Sequence, residues 1–378
     1  MPDPGRGFKR KSFSTLSSCR CRRYAYYSQV LGIRQAPTSM VGEADGALAS
    51  GSVFHTLMEV RYMPEACRNL PLRGTDFNPV LPDETAVIDW YLNRRQYAAA
   101  AVDTAYQAYL RYKEHYDSRG DEITKLVWDR PEPNFSLDVG EGQVYEAQYD
   151  AIIRHPTMKG VCAVEHKLLA QMRAGTISQY AHSGQLIGQV MIWNGNKELV
   201  AEYGPMVEVW LNLAFKKGKL AAHRERLAIP ARRVHEYKAV VREMGRRADS
   251  LMNQYRHTIS SIVDPGERAI MMKRHFMRDG MAQSQCVEFW GTCRYLDLCE
   301  TEVVSPELYR IEDPAAVAQA ARDGVVKVLE GVLHEPPQEL READAPKVDK
   351  PLAPVPQSAL PRSFKNLLPP WEPIEEQT

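Results

Sequence analysis

The chain has 378 residues, 44% of them hydrophobic and 25% charged, and its 48 lysine and arginine residues balance 48 aspartate and glutamate residues. This is the composition of a soluble globular protein with one large domain or two smaller ones. No apolar run approaches the ~18 residues of a membrane span, and the basic N-terminus lacks the apolar segment of a secretory signal. We therefore expect a protein of the reducing cytoplasm, where seven cysteines argue against a disulfide framework.

The charges are distributed unevenly along the chain. Residues 301–378 hold 14 acidic and 8 basic residues, so residues 1–300 carry a net charge of +6. The stretch Phe215–Arg247 alone holds eleven lysines and arginines against three glutamates. Such clusters are what binding to a phosphate backbone requires, although a solvated helix face is an equally good interpretation of each.

The C-terminal residues differ in composition from the rest. Ten of the 25 prolines fall within residues 334–378, which predicts a disordered tail because proline interrupts helices and sheets. The end of this tail is a candidate docking motif for a protein partner, and an inert tail is the alternative. We divide the chain into a main domain over residues 1–300, a helical extension over 301–333 and the tail.

The predicted elements describe a mixed α/β fold with a helical N-terminal part. Helical spacing covers Gly51–Met63, and a long helical region begins at an aspartate cap and covers Asp83–Tyr116. Four strands rich in apolar and β-branched residues follow at Lys125–Arg130, Asn134–Val139, Gln143–Arg154 and Gly160–Leu168. The remaining elements are a helix over Ile177–Asn194, a strand over Met206–Phe215 and a long basic helix over Pro230–Ile262.

Two of the predicted strands carry the candidate catalytic residues. Asp150 interrupts a strand-like run, and fifteen residues later Glu165 and Lys167 are separated by one residue. Strand alternation directs Glu165 and Lys167 to the same face. Carboxylates on neighbouring strands can hold a divalent cation, and a lysine beside them can orient the attacking water. The arrangement predicts hydrolysis of a phosphodiester.

The order of these residues resembles the core of the PD-(D/E)XK nuclease superfamily, in its RecB-like branch. The resemblance implies a restriction-endonuclease-like α/β core with a mixed sheet. The segment GSVFHTLME resembles the branch's Gly-x-x-x-His-x-x-x-Glu helix, which implies that His55 is a metal ligand and Glu59 a supporting residue. Gln185 matches the glutamine of the following helix, where Gln189 stands in place of the usual tyrosine. The segment Ser178-Gln179-Tyr180 is a rival assignment for this glutamine and tyrosine, but it lacks their spacing of four positions.

Cysteines at the two ends of the main domain extend the resemblance. SFSTLSSCRCRRYAYY resembles the N-terminal cysteine segment of iron-sulfur members of this branch, such as the AddB-like and CRISPR-associated exonucleases. In those families one N-terminal and three C-terminal cysteines bind a [4Fe-4S] cluster, which fastens the two ends together. The resemblance implies the ligands Cys19, Cys286, Cys293 and Cys299, with Cys21 as a substitute for Cys19 and zinc as the alternative metal.

The resemblance implies a metal-dependent DNA exonuclease that acts on single strands from 5′ to 3′ in recombination, repair, phage replication or CRISPR adaptation. Mg²⁺ or Mn²⁺ would lie between His55, Asp150, Glu165 and the carbonyl group of His166. Lys167 would position the nucleophilic water, and Gln185 would orient the substrate strand. The alternative is a non-catalytic DNA-binding or assembly protein that keeps a structural iron-sulfur or zinc site.

Overall fold

A computed structural model describes most of the chain between residues 21 and 329. The described residues are 12, 21–35, 43–63, 80–95, 97–123, 126–127, 133–259, 261–276, 287–288, 291–292, 295–305 and 309–329. The predicted proline-rich tail, three candidate cluster ligands (Cys19, Cys286 and Cys293) and most of the predicted strand Lys125–Arg130 lie outside them.

Helices account for much of the described chain. They are α1 (Arg22–Ala25), α2 (Glu43–Tyr62), α3 (Glu84–Asp89), α4 (Ala99–Asp117), α5 (Thr176–Ala181), α6 (Gly184–Gly195), α7 (Lys197–Tyr203), α8 (Ala231–Gln254), α9 (Pro265–His275), α10 (Leu296–Thr301) and α11 (Pro314–Arg322). Wider π-helical turns continue α1, α3 and α8 over Tyr26–Val30, Trp90–Arg94 and Tyr255–Ile259.

The described strands are mostly short. They are β1 (Ile33–Gln35), β2 (Asn134–Gly140), β3 (Gln143–Gln148), β4 (Ala151–Arg154), β5 (Val161–Leu169), β6 (Met206–Phe215), β7 (Ala222–Leu227), β8 (Val287–Glu288), β9 (Gly291–Thr292), β10 (Val303–Val304), β11 (Tyr309–Ile311) and β12 (Lys327–Val328). The described residues form two compact units. One takes its residues from 39–137 and 147–237, and the other from 1–38, 138–146 and 238–348.

The first unit is built on a mixed four-stranded sheet in the order β4-β5-β6-β7. Strands β5 and β6 are parallel and are joined by α5, α6 and α7, whereas β4 and β7 pair antiparallel at the two edges. The prediction of an α/β fold with a mixed central sheet is therefore confirmed. Both central strands are almost wholly buried because helices cover the two faces.

Two apolar clusters lie on opposite faces of this sheet. Helix α6 contributes Leu186, Val190 and Trp193 to the cluster on one face. Helices α2, α3 and α4 form the other cluster, which reaches the sheet at Ala214 and Ala222. We call these two sides of the sheet the α6 face and the α2 face.

The second unit has its own core. Residues of α1 and its π-helical turn pack against residues from near the other end of the described chain. The ring of Tyr26 stacks on Phe276 with centroids 4.8 Å apart, and the Tyr27 hydroxyl donates to the carbonyl oxygen of Leu298 at 3.4 Å. Strand β1 pairs antiparallel with β11, and β10 pairs parallel with β12.

Most predicted elements are present, with three changes of extent. The region from Asp83 is interrupted between Arg95 and Ala98, and the predicted strand Gln143–Arg154 is two strands with Asp150 between them. The predicted helix Ile177–Asn194 is likewise α5 followed by α6, because Ser183 caps a new helix by accepting from Gln185 N. None of the described helices has the length and apolar character needed to cross a bilayer.

The close packing at Gly160 gives a test of the fold. Gly160 has φ +142°, and a Cβ there would lie 2.3 Å from the carbonyl oxygen of Pro205. Gly160→Ala should lower the free energy of unfolding by more than about 1 kcal/mol, because the backbone must move to avoid the contact. Gly46→Ala is the control, since its Cβ would meet nothing within 4 Å on helix α2 and alanine favours helix. Equal thermal midpoints for the two variants would contradict this packing.

Candidate active site

Strand pairing brings the two candidate carboxylates together. Ala151, the first residue of β4, pairs with Val164 of β5 in antiparallel register. Asp150 precedes that pair on one strand and Glu165 follows it on the other, so their side chains lie on the same face. Lys167, two residues further along β5, shares this face, as strand alternation predicts.

The Asp150 carboxylate is held from two directions. Its side chain is 16% exposed, and its Oδ2 accepts a hydrogen bond of 2.6 Å from the backbone N–H of His166. The Nδ1 atom of His55, from helix α2, lies 3.4 Å from the same oxygen. Burial would raise the pKa of Asp150, but the charge and hydrogen bond of His55 hold it well below its usual range.

The Glu165 carboxylate is more deeply buried and accepts from three side chains. Its side chain is 1% exposed, Lys167 Nζ and Gln185 Nε2 contact Oε1, and Gln189 Nε2 donates to Oε2 at 2.8 Å. Burial, and next the neighbouring Asp150 charge, raise the pKa of Glu165. Burial would lower the pKa of Lys167, but Glu165 and then Asp150 raise it, so the ammonium stays charged.

Gln189 occupies the position at which the resemblance expects a tyrosine. It is fully buried, and its Nε2 also donates to the carbonyl oxygen of Gln148 at 3.1 Å. Its backbone carbonyl oxygen accepts from the Tyr149 hydroxyl at 2.6 Å. The residue therefore fixes Oε2 of Glu165. Gln185 also contacts Glu165 here, at 2.6 Å, whereas the sequence suggested a role in orienting substrate.

A polar network on the α2 face supports the strand that carries Glu165. The His166 side chain points to this opposite face, where its ring stacks on Tyr62 at 5.7 Å and its Nδ1 lies 2.9 Å from Asn212 Nδ2. Burial lowers the pKa of His166 to about 3, so the ring is neutral. Asn212 Nδ2 also donates to the Tyr112 hydroxyl at 2.6 Å. Asn212 was missed, although one polar residue within an apolar strand is a readable signal.

Arg224 and Asp121 complete this network. The Arg224 guanidinium is 5% exposed, and it donates to Asn212 Oδ1 at 3.3 Å and to Asp121 Oδ1 at 2.9 Å. Tyr62 donates to the other oxygen of Asp121 at 2.7 Å. The network thus continues from His166 through Asn212 to a buried ion pair. The sequence showed Arg224 only as one member of a basic cluster, and Asp121 had no motif around it.

The ligand atoms of the site suit a bound cation. Two carboxylates face the Lys167 ammonium and the His55 imidazole, whose pKa burial would lower but the Asp150 charge raises. A metal ion would take the place of the proton on His55. The carboxylate oxygens of Asp150 and Glu165 and the imidazole of His55 are grouped together, and these are ligand types that a divalent metal ion accepts. The residues present therefore fit a divalent metal ion.

Comparisons with known proteins leave the family open. The sequence matches no protein-family profile and none of the curated protein sequences. One similar solved structure is a crystal structure from Eubacterium rectale to which an exonuclease activity has been provisionally assigned. It has 10% sequence identity and a TM-score of 0.37 over 66% of this chain and 87% of that one. A TM-score of this size carries no argument about function.

A further group of possible metal ligands lies on the α2 face of the sheet. His155, Cys162 and Glu208 bring their ligand atoms within 4.8 Å of one another. His155 Nδ1 accepts from two backbone N–H groups, so its Nε2 carries the hydrogen and lies 3.3 Å from Glu208. Burial raises the pKa of Cys162 to about 12, which keeps the thiol protonated. Hydrogen bonding therefore already satisfies this group, and it does not need a metal.

Of the predicted cluster ligands, only Cys299 and the substitute Cys21 are among the described residues. Cys21 and Cys299 are both half-buried in the second unit. The segments that carry them touch, since the rings of Tyr24 and Tyr295 lie 4.7 Å apart. The described residues around Cys21 and Cys299 are therefore adjacent.

The basic stretch from Phe215 to Arg247 is largely neutralised by its own surroundings. On α8, Arg232 pairs with Glu236, and Glu243 pairs with Arg246 and Arg247. On β7, Arg226 pairs with Glu122. Of the two interpretations of this stretch, the solvated helix face fits α8 better, because most of its arginines already have acidic partners.

The buried ion pair behind the site predicts a pH-dependent stability. Burial would raise the pKa of Asp121, but the Tyr62 hydrogen bond and the Arg224 charge lower it overall. A carboxyl with a lowered folded pKa stabilises the fold above its unfolded value near 3.9, and this contribution is lost as pH falls through the folded pKa. Asp121→Asn should cost about 3 kcal/mol at pH 7, and the difference from wild type should shrink below about pH 4.

Urea unfolding at several pH values measures this difference. Asp117→Asn is the matched control, because Asp117 likewise pairs with an arginine, Arg61, but is 52% exposed. It should cost less than about 1 kcal/mol. A difference between Asp121→Asn and wild type that is constant down to pH 2 would contradict the assignment of the charge.

Proposed function

We propose that the chain is a metal-dependent nuclease of the PD-(D/E)XK type that hydrolyses phosphodiester bonds in DNA. The observation that carries the proposal is the convergence of Asp150, Glu165, Lys167 and His55 in one partly accessible cluster. These four residues come from helix α2, from strand β5 and from the position just before β4. They are far apart in sequence, and the fold brings them together.

The proposed cation-binding residues are Asp150, Glu165, His55 and the carbonyl group of His166. A bound Mg²⁺ or Mn²⁺ ion would supply charge stabilisation and a more acidic water molecule. Lys167 is proposed to orient that water, for which its ammonium must leave Glu165 Oε1. Gln189 keeps Oε2 fixed meanwhile, so the carboxylate retains its orientation when Oε1 changes partner.

The finer parts of the proposal rest on the resemblance. They are exonuclease activity on single strands from 5′ to 3′, a nuclease domain over residues 1–300, a partner-binding tail and an extension over 301–333. The sequence predicted this extension to be helical, and its described part holds α11 and the short strands β10, β11 and β12. In the same proposal, Cys19, Cys286, Cys293 and Cys299 bind a [4Fe-4S] cluster. The contact between the segments of Cys21 and Cys299 supports such a link between the two ends.

The catalytic assignment is tested by Asp150→Asn and Lys167→Met. Each should reduce the rate of DNA hydrolysis by about 100-fold or more, because each removes a group that acts on the scissile phosphate or its water. The measurement is release of label from end-labelled single-stranded and duplex DNA with Mn²⁺. Glu202→Gln and Lys197→Met, both at exposed positions, are the charge-matched controls.

Two results would contradict parts of this proposal. Undiminished cleavage by either active-site variant contradicts the assignment of its residue. DNA binding by the wild type without any cleavage favours the alternative, a non-catalytic DNA-binding protein.

The cluster is tested by the metal content of anaerobically purified protein. Wild type should contain iron and absorb broadly in the visible range, because iron-thiolate charge transfer is coloured. Cys299→Ser should lose the iron and unfold at a lower temperature, since metal binding contributes to folding free energy. Cys162→Ala should keep its iron, because this cysteine lies in the core of the other unit. Stoichiometric zinc in a colourless wild type would refute the iron-sulfur proposal.

A further inference from the structure

The loop between β6 and β7 holds three lysines at the end of the central strands. Its backbone is fixed to β5, because Lys216 N donates to the carbonyl oxygen of Leu169 at 2.8 Å. Arg111 of helix α4 donates to the carbonyl oxygens of Gly218 at 2.7 Å and Leu220 at 3.2 Å. The loop is therefore pre-organised, and its lysines project from a fixed backbone.

Lys216 differs from most basic residues of the same stretch. It is half-buried, and among the described residues it forms no ion pair with a carboxylate. Its Nζ donates to the Ser50 hydroxyl of helix α2 at 2.6 Å. Burial, and next the neighbouring Lys217, lower its pKa. An ammonium group has three donors, so two remain for an anion.

The position of Lys216 relates it to the proposed active site. Ser50 precedes His55 by five residues on α2, which is about 7.5 Å along the helix axis and about 140° around it, with Gly51 between them. Leu169 follows Lys167 by two residues on β5, which is about 7 Å along the strand. Along both elements the displacement corresponds to roughly two nucleotides of a stacked strand.

The helix surface between these residues is open. Ser52, three residues before His55, is exposed, and a Cβ at Gly51 would meet no atom within 4 Å. A backbone without a side chain lets a ligand approach closely. The route along α2 from His55 to Lys216 is therefore not blocked at Gly51.

We propose that Lys216 binds a non-scissile phosphate of the DNA strand, one or two nucleotides from the bond that is cut. The inference rests on the proposed nuclease function and adds a substrate contact to it. The positive charge that lacks a protein partner is neutralised by the phosphate, and the Ser50 hydroxyl and the fixed loop hold the ammonium group in place. An internal phosphodiester and a terminal 5′-phosphate have the same chemistry, and the test distinguishes them.

The first measurement is equilibrium binding of single-stranded DNA, with Ca²⁺ replacing Mn²⁺ so that the strand stays intact. Lys216→Gln should bind about tenfold more weakly than wild type. The slope of log affinity against log salt concentration should also decrease in magnitude by about 0.7, the value for one phosphate contact on a single strand. Lys216→Arg should restore most of both, whereas Lys219→Gln, in the same loop but exposed, should change neither.

A second measurement locates the phosphate. Oligonucleotides that each carry one neutral methylphosphonate at a successive position are bound to wild type and to Lys216→Gln. One internal position near the cleaved bond should weaken wild-type binding about tenfold and leave Lys216→Gln unaffected. If the effect instead follows removal of the 5′-phosphate, the contact is to the strand terminus and the internal assignment is overturned.

The outcomes separate this inference from the proposed function. If wild type binds and cuts DNA but Lys216→Gln keeps the wild-type salt slope and methylphosphonate pattern, the Lys216 contact is refuted and the nuclease stands. If wild type neither binds nor cuts single-stranded or duplex DNA, the nuclease proposal fails and the contact fails with it.

Discussion

The burial of two carboxylates side by side is the constraint on which the rest of the site depends. Asp150 and Glu165 are brought together by the pairing of β4 with β5, and each loses most of its hydration. Unpaired buried charges of this kind would be strongly destabilising. Donors from helix α2, strand β5 and helix α6 therefore converge on them, and the elements around the sheet are arranged to supply these donors.

The opposite face of strand β5 carries a second polar network, which supports the strand. His166 alternates with Glu165 and Lys167, so its ring lies among aromatic and amide groups and not in the site. Its backbone N–H nevertheless binds Asp150. One residue thus couples the position of the Asp150 carboxylate to a network that ends at the buried pair of Arg224 and Asp121. Rigid support of this kind is what an active site with precise geometry needs.

The sequence was sufficient for the parts of the molecule with local periodicity. It predicted the strand Met206–Phe215 to the residue, and it placed Asp150, Glu165 and Lys167 on neighbouring strands. The role of Gln189 could not be deduced from the sequence. A glutamine in place of the usual tyrosine looks like a departure from the motif until its contact with Glu165 is known. Arg224 and Asp121 are 103 residues apart, and no local pattern indicates a contact over such a separation. The sequence left two interpretations of the basic stretch open for a related reason, since ion pairing depends on rotamers.

The core built around Tyr26 and Tyr27 has a consequence for the order in which the chain becomes structured. These residues are among the first of the described chain to leave the ribosome, yet their partners Phe276 and Leu298 follow about 250 residues later. Closing a loop of that length costs about 5 kcal/mol in chain entropy. Synthesis also proceeds at only ~5–20 residues per second. The site-bearing sheet is complete by Leu227, so it can assemble while the N-terminal aromatic segment still waits for its partners.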